Sequence, residues 1–249
     1  MDSQTLDHFR RHGWVLTTPF SAPVVERLRT WVDEVQHWPD EGEWLHYREL
    51  TDLGPRLCRT ENFVPFHAPF GTMLTSGVLL ETAGVLLGEP AVLYKEKINY
   101  KLAGGAGYAP HQDAPAYRFV DTHVSCMIAI DDALLANGCL EVATDCFAEV
   151  LPMNDRGCIA EAVVATLDWT PVEVRAGQVL WFHSRTPHRS GPNLTARDRR
   201  AIYPTYNAVA EGDLRDAYYV QKLREFRDNP HTAGTVQVSL INDFEGRPV

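Results

Sequence analysis

The length, composition and charge of the chain describe a globular protein and argue against several kinds of partner. Its 249 residues suit one domain, and 45% hydrophobic against 22% charged residues are enough to bury a sizeable core. With 33 acidic and 23 basic side chains the formal net charge is −10, which disfavours binding to nucleic acid or to anionic lipid. A local basic pocket for a small anionic or zwitterionic molecule is compatible with such a surface.

The lack of a recognisable targeting signal and the pattern of cysteines predict a cytoplasmic protein. The N-terminus lacks the basic and apolar runs of a signal peptide, and no stretch approaches the roughly 18 uninterrupted apolar residues of a membrane span. The five cysteines are odd in number and include no Cys-x-x-Cys pair, which predicts reduced thiols rather than disulfides or a zinc site. We therefore expect a cytoplasmic protein that is a monomer or a homodimer.

The first part of the chain predicts helices. Residues 3–12 predict a short helix, and residues 13–16 predict a strand. Apolar residues at a 3.6-residue period predict a helix that begins after Ser21 and ends before Pro39. A second apolar helix is predicted over residues 71–87, where glycine and proline end it.

From Ala91 onward, short β-rich runs alternate with Gly, Pro, Asn and Asp. The runs are 91–101, 107–112, 122–131, 138–143, 147–151, 172–175, 178–183 and 199–207. Several short strands with turn signals between them are typical of an antiparallel barrel or sandwich. Residues 213–227 then predict a helix, and the tail after them predicts a loop or an edge strand.

The predicted fold is mainly β with flanking helices, a jelly-roll (cupin-like) barrel with an N-terminal helical layer. We expect a single domain over residues 1–249. Within it, residues 1–90 would form the helical support, residues 91–210 the jelly-roll core, and residues 211–249 a C-terminal helix and tail.

The most informative motif is His111-Gln112-Asp113. An extended segment alternates its side chains between two faces, so His111 and Asp113 lie on one surface. A second histidine, His188, follows an apolar strand and a proline, and we expect it to approach from the opposite sheet. Two histidines and one carboxylate can bind Fe(II) and leave three positions open on an octahedral ion. His183 is the alternative third ligand.

An arginine follows the distal histidine. Arg199 lies eleven residues after His188, and its planar guanidinium suits a dicarboxylate co-substrate. Strand alternation places the neighbouring Arg200 on the opposite face. Ser190, two residues after His188, is expected to hydrogen-bond the same co-substrate.

The strand before the motif adds a basic surface. Alternation places Lys95, Lys97 and Asn99 on one face, whereas Tyr94 and Ile98 lie on the other. If the apolar face packs beneath the helices, the polar face looks into the barrel, where lysines need anionic partners. A solvated edge strand is the alternative. Further candidates for a substrate pocket, each of which also fits a structural or solvent-facing role, are Arg59, Tyr108, Gln112, Tyr117 and Arg118.

Together these residues resemble the phytanoyl-CoA dioxygenase family of Fe(II)- and 2-oxoglutarate-dependent oxygenases, which includes ectoine hydroxylases. The matching segments are Lys97–Lys101, His111-x-Asp113, Asn137–Val142, Gly177–Phe182, His188–Asn193 and Arg199. The resemblance implies a double-stranded β-helix that holds Fe(II) through His111, Asp113 and His188. It also implies that Arg199, at the family's eleven-residue spacing from His188, binds 2-oxoglutarate with help from the position of Asn99.

The resemblance further implies that O2 and 2-oxoglutarate are consumed to oxidise an unactivated C–H bond, with release of succinate and CO2. Asp113 stands where related halogenases carry a small residue, which favours hydroxylation or desaturation over halogenation. The segment from Lys95 to Asp113 is similar to family members that act on aminoethylphosphonate. An amino acid, an aminophosphonate or a natural-product intermediate is therefore the expected substrate. The alternative is a non-catalytic or 2-oxoglutarate-independent cupin-like metal-binding barrel, which would not need Arg199.

Overall fold

The computed structural model describes residues 1–117, 120, 122–228 and 241–249, without the side chains of 225–228. Its strands are β1 Trp14–Thr17, β2 Leu45–Thr51, β3 Gly54–Glu61, β4 Ala91–Lys101, β5 Tyr108–His111, β6 His123–Ala129, β7 Leu140–Ala143, β8 Trp169–Val172, β9 Val179–His183, β10 His188–Ser190 and β11 Arg199–Ala208. Its α-helices are α1 Ser3–His12, α2 Ala22–Gln36, α3 Ala68–Thr75, α4 Gly77–Leu87, α5 Glu161–Val164 and α6 Arg215–Asp228.

The strands form two antiparallel sheets that face each other. The larger sheet has the order β1-β9-β6-β11-β4-β3-β2, and the smaller one has the order β5-β10-β7-β8. An apolar cluster that includes Met127, Val142 and Phe182 fills the space between the two sheets. The predicted mainly β jelly-roll barrel with flanking helices is therefore confirmed.

The N-terminal helices cover the outer face of the larger sheet. In α2 the buried residues Val25, Leu28, Val32 and Val35 recur at helical spacing and form one apolar face. Leu28, Val32 and Val35 join a cluster that includes Trp181 on β9, whose ring is buried in the core. This helical layer fixes the back of the larger sheet, so the polar residues of its inner face can line a cavity.

Several local predictions were wrong. Residues 45–61 form two strands, β2 and β3, which extend the larger sheet within the segment that was predicted to be helical. Residues 71–87 are not one helix, because the backbone is extended at Ser76 between α3 and α4. Residues 147–151 form no strand, because a side chain uses their backbone hydrogen-bonding groups. The Gln112 amide donates to the carbonyl of Glu149 and accepts from the backbone amide of Leu151.

Strand β4 carries a β-bulge at Tyr94. The pairing between β4 and β11 shifts at this point, which leaves Tyr94 as an extra residue. Leu93 therefore joins Ile98 in the main core, whereas Tyr94 packs against Tyr117 and Tyr218 on the other side. The predicted grouping of Tyr94 with Ile98 was wrong because a bulge shifts the alternation by one residue.

One stretch of the described chain, Ala68–Leu87, is long and apolar enough to cross a membrane by length and composition. It is weak evidence for a span, because packed helices in water-soluble proteins pass the same test, and this stretch is divided at Ser76. The Tyr206 hydroxyl donates to the Leu74 carbonyl at 3.0 Å and ties the stretch to the larger sheet.

A buried ion pair fastens α6 to β4. Glu96 is fully buried, and Arg215 Nη2 lies 2.7 Å from its Oε1. Burial raises the pKa of the Glu96 carboxyl, and Arg215 opposes that rise. Removing one partner of a buried pair leaves an uncompensated charge in the interior, which is more destabilising than losing an exposed pair.

We expect Arg215→Met to lower the free energy of unfolding by about 3–5 kcal/mol at pH 8, the range typical of a broken buried pair. At lower pH the loss should shrink, because protonation of Glu96 removes the uncompensated charge. Urea unfolding at both pH values measures this, with Arg224→Met, an exposed arginine on the same helix, as the matched control. Equal losses in the two variants would contradict the prediction.

Candidate active site

The two predicted histidine ligands lie on neighbouring strands. His111 ends β5 and His188 begins β10, and their Cα atoms are direct partners in the antiparallel pair. Their ring centroids are 4.2 Å apart. The expectation that His188 approaches from the opposite sheet was wrong, because β10, a strand of only three residues, pairs directly with β5.

Each ligand side chain is held in position by a hydrogen bond. The Nδ1 atom of His111 lies 2.7 Å from the carbonyl oxygen of Ala109, and Nδ1 of His188 lies 3.0 Å from that of Thr186. This arrangement leaves both Nε2 atoms for a metal. Asp113 is fixed through Oδ2, which accepts a hydrogen bond from Ser125 Oγ at 3.0 Å.

The three side chains form a group that fits a metal ion. One donor atom from each of His111, Asp113 and His188 lies within 4.8 Å of the others, and all three residues are buried. Burial opposes ionisation of Asp113, yet His188, Lys97 and His111 hold the pKa of its carboxyl well below the usual range. Burial, reinforced by His111, lowers the pKa of His188 to about 4, so its imidazole is neutral and able to bind a cation. Two neutral imidazoles and one carboxylate are the donors that non-haem Fe(II) takes in oxygenases.

The alternative ligand, His183, is directed elsewhere. Its Nδ1 accepts a hydrogen bond from the backbone amide of Arg185 at 3.1 Å, and its ring packs against Phe147. His183 is therefore not part of the three-residue group.

Next to the group lies a cavity lined by residues of both sheets, among them His111, His188 and Arg199. Arg199 reaches it from β11, buried and with Nη2 donating to the carbonyl of Gly138 at 3.0 Å. Its Nε and Nη1 atoms have no hydrogen-bond partner among the described residues. An arginine that is buried with two donors unused has room for a carboxylate, because an unsatisfied charged donor is costly to bury. Arg200 faces away and binds Asp131, as alternation predicted.

A second cation stands beside Arg199 and was missed from the sequence. Lys101 on β4 is the Cα partner of Arg199 and lines the same cavity. Its Nζ donates to Ser190 Oγ at 2.9 Å and to the carbonyls of Gly138 and Gly191. Burial, reinforced by Arg199, lowers the pKa of Lys101 to about 7. The predicted co-substrate residues Asn99 and Ser190 line this cavity too, so the cavity collects Asn99, Lys101, Ser190 and Arg199.

Gly138 shapes this end of the cavity. Its backbone has a φ of 71°, and an added Cβ would lie 2.6 Å from Lys101 Nζ and closer still to the carbonyl oxygen of Gly191. Only glycine fits such a position without displacing the cation. The Gly138 carbonyl therefore orients both Lys101 and Arg199.

We expect Lys101→Met to raise the KM for 2-oxoglutarate by roughly 10- to 100-fold, the range for loss of a charge-assisted hydrogen bond. Iron affinity should be unchanged, because Lys101 binds none of the three metal-site residues. A 2-oxoglutarate titration of succinate release measures the effect, and thermal unfolding shows whether the fold is kept. An unchanged KM would place the carboxylate away from Lys101.

A second, smaller cavity adjoins the triad at His111 and Asp113. His111, Asp113 and Lys97 line both cavities. The charged residues that line only the smaller one are Arg59, Glu61, Lys95 and Lys222. The predicted face of Lys95, Lys97 and Asn99 thus lines the two cavities rather than forming a solvated edge.

Lys95 and Lys97 have no hydrogen bond or ion pair within the part of the chain that the structure describes. The Lys95 ammonium lies 4.0 Å from the ring centroid of Tyr117, and the Lys97 ammonium lies 5.3 Å from that of Tyr203. Burial and the neighbouring Lys97 lower the pKa of Lys95 well below its usual range. Burial and Arg59 lower the pKa of Lys97 to about 8. An anionic ligand would stabilise the charged forms of both amines, of which Lys95 is buried and Lys97 is half-buried.

The remaining pocket candidates have different positions. Arg59 is buried and donates to Asn99 Oδ1 at 2.9 Å and to the Tyr108 hydroxyl at 3.1 Å, so Arg59 and Tyr108 belong to the cavity walls. Gln112 points away from the triad, and its amide is held by the backbone groups that fix residues 149–151. Arg118 lies outside the described residues.

Two residues of the cavity walls, Asp243 and Lys222, belong to no recognisable motif and were not predicted from the sequence. Asp243, in the C-terminal segment, lines both cavities, and its Oδ2 lies 3.3 Å from His111 Nε2. Lys222 comes from α6. The composition did contain a signal for the lysines, because they are rare in this chain. Only four of the 23 basic residues are lysines, and all four line these cavities.

Comparisons with known proteins agree with this geometry. The model of the phytanoyl-CoA dioxygenase (PhyH) family matches residues 9–201. A methylphosphonate hydroxylase of Gimesia maris is 46% identical over 251 aligned residues, which cover 99% of this chain and 96% of that protein. A 2-aminoethylphosphonate dioxygenase of uncultured bacterium HF130_AEPn_1 is 37% identical and covers 82% of this chain and 80% of its own length.

Among solved structures, EctD from S. alaskensis with 2-oxoglutarate and 5-hydroxyectoine shares the fold. Its TM-score is 0.73 at 19% identity, over 85% of this chain and 77% of that chain. The family match spans most of the chain, and the Gimesia maris relative extends over nearly all of it. The chain therefore belongs to the phytanoyl-CoA dioxygenase family and is a dioxygenase that uses Fe(II), 2-oxoglutarate and O2.

Proposed function

We propose that this dioxygenase hydroxylates a C–H bond next to the phosphorus atom of a small phosphonate. The observation that carries the proposal is the pair of ammonium groups on Lys95, which is buried, and Lys97, which is half-buried. Neither has a hydrogen bond or ion pair within the described chain, and both line the cavity shared with His111 and Asp113. A phosphonate supplies up to two negative charges in a compact group, which suits two adjacent ammoniums. The two relatives whose names refer to phosphonates support the same substrate class.

Different cavity residues would bind the two ligands, 2-oxoglutarate and the phosphonate. Arg199 and Lys101, with Ser190, would hold the distal carboxylate of 2-oxoglutarate in the larger cavity. Lys95 and Lys97 would hold the phosphonate in the smaller one, so that its carbon faces the metal site. Because the site is buried, water is excluded while the substrate is held in a reactive orientation.

His111, Asp113 and His188 would hold Fe(II). When bound, the iron would allow O2 to oxidise the C–H bond, with 2-oxoglutarate as the reductant. The reaction balances as phosphonate, 2-oxoglutarate and O2 giving hydroxyphosphonate, succinate and CO2. One oxygen atom enters the new hydroxyl group and the other enters succinate. A 2-oxoglutarate-independent barrel is disfavoured because it leaves the two unused donors of Arg199 without a ligand.

The test is reconstitution of the protein with Fe(II) and 2-oxoglutarate, first without oxygen and then with it. Without oxygen, a weak visible charge-transfer band should appear and should be absent in His111→Ala. With oxygen, a small phosphonate should increase succinate release, and ³¹P NMR should show one hydroxylated product per succinate. If phosphonates leave succinate release at its uncoupled rate while a carboxylic amino acid raises it, the proposal is wrong. The cytoplasmic location, the monomeric or dimeric state and the division into support, core and tail stay predictions.

A further inference from the structure

The smaller cavity contains one carboxylate that is already fully engaged. Glu61 ends β3 and is completely buried. Lys222 Nζ lies 2.6 Å from its Oε2, and Arg59 Nη1 lies 3.4 Å from its Oε1. Both oxygens of Glu61 are therefore bound by cations of the protein itself. Burial alone would raise its pKa, but Lys222, Lys95 and Arg59 lower the pKa of Glu61 to about 2, so it is ionised at neutral pH.

The charges in this cavity leave an excess of positive charge. Four cationic side chains line it, namely Arg59, Lys95, Lys97 and Lys222. Against them stand Glu61 and Asp243, while Asp113 serves the metal site. A bound anion would hold Lys95 and Lys97 in their charged forms, and the cations of the wall then outnumber its carboxylates, which suits a phosphonate.

A substrate that carries its own ammonium group fits this cavity poorly. The cations of the wall would repel that ammonium, and burying it without a carboxylate partner is costly. Glu61 cannot serve as the partner while Lys222 and Arg59 hold it. Asp243 also lines this cavity, but its Oδ2 lies against His111, 3.3 Å from Nε2.

We propose that the smaller cavity selects phosphonates that lack an amino group, and that Lys222 sets this preference by holding Glu61. Lys222 is a positioning residue, since it acts through Glu61. The inference rests on the proposed function, because it concerns which phosphonate is accepted at the same site. It predicts discrimination by charge between substrates of equal size.

Propylphosphonate and 2-aminoethylphosphonate provide the comparison, because they have the same number of heavy atoms and differ in charge. Methylphosphonate serves as the small reference. The wild type should have a kcat/KM for propylphosphonate at least about tenfold above that for 2-aminoethylphosphonate, a ratio in the range that one buried ionic mismatch produces. Calorimetric titration of the anaerobic protein loaded with Fe(II) and 2-oxoglutarate should show the same order of binding affinity without turnover.

Lys222→Met frees one oxygen of Glu61 and should shift the kcat/KM ratio towards 2-aminoethylphosphonate by about tenfold or more. Lys222→Arg keeps an ion pair and should keep the wild-type preference. Arg224→Met removes an exposed charge from the same helix and should leave the ratio unchanged. An unshifted ratio in folded Lys222→Met would overturn the role of Lys222.

The wild-type comparison decides the substrate preference even if Lys222→Met does not fold. Equal or better binding and turnover of 2-aminoethylphosphonate relative to propylphosphonate would overturn the inference while leaving phosphonate hydroxylation intact. If none of the three phosphonates stimulates turnover, the proposed function itself is wrong. The two failures are thus distinguishable in one experiment.

Discussion

His188→Ala is expected to lower iron affinity and turnover by more than about 100-fold, whereas His183→Ala is expected to retain both. Loss of a residue that only supports a ligand typically costs 10- to 100-fold, so loss of a ligand should cost more. His188 contributes one of the three buried donors that lie within 4.8 Å of one another. His183 is engaged by the backbone amide of Arg185 and lies outside that group.

Anaerobic titration with Fe(II), followed through the charge-transfer band with 2-oxoglutarate, measures the affinity of both variants. The pair is a matched control, because each variant removes one imidazole from the same stretch of chain. Normal iron binding by His188→Ala together with a loss in His183→Ala would reverse the ligand assignment.

The second large effect is expected from the lysines of the smaller cavity. Lys95→Met should raise the KM for methylphosphonate by roughly 10- to 100-fold, the range for loss of one charge-assisted contact to a dianion. The KM for 2-oxoglutarate should be unchanged, because Lys95 lines only the smaller cavity. Lys97→Met should have a comparable effect on the phosphonate, although Lys97 also borders the larger cavity.

Amine labelling offers a readout that does not depend on turnover. The chain has four lysines, all at the two cavities, so a reagent that acetylates amines reports on these sites and the N-terminus. Methylphosphonate should protect Lys95 and Lys97, whereas 2-oxoglutarate should protect Lys101. Mass spectrometry of the labelled peptides measures both. Uniform labelling with and without methylphosphonate would contradict the assignment.

The pH dependence of phosphonate binding follows from the same residues. Burial and Arg59 lower the pKa of Lys97 to about 8 in the protein, and only the protonated amine attracts the anion. The KM for the phosphonate should therefore rise as the pH increases through about 8, where Lys97 loses its proton. Below that pH, Lys97 is protonated and its contribution keeps the KM low. A bound anion stabilises the ammonium, so the rise should be gradual. In Lys97→Met the rise in KM above pH 8 should be reduced.

The metal and co-substrate residues could be predicted because their chemistry fixes both residue type and spacing. His111 and Asp113 are two residues apart, and Arg199 lies eleven residues after His188, so a linear pattern was enough to identify them. The structure brings all four to adjoining positions, and their roles in binding the metal and 2-oxoglutarate stay predictions. The strands that carry them were also predicted, except β10, which is too short to produce a pattern of its own.

The substrate cavity could be predicted only in part, because its walls come from segments far apart in the chain. Lys95 and Lys97 share a strand with Asn99, so alternation placed them correctly. Lys222 comes from a helix with no distinctive motif, and Asp243 comes from a tail that was predicted as loop or edge strand. Nothing in their local sequence indicates which side of the barrel they reach.

The placement of the two histidines has a consequence for the small sheet itself. Strand β5 is the outermost strand of that sheet, and it is joined through the three residues of β10 to the strands behind it. An ion bound by His111 and His188 would cross-link these strands, and binding to the folded state stabilises whatever it joins. Loading with metal should therefore slow amide hydrogen exchange at β5. Iron depletion would remove this cross-link, so the iron supply would influence the local stability of the small sheet as well as turnover.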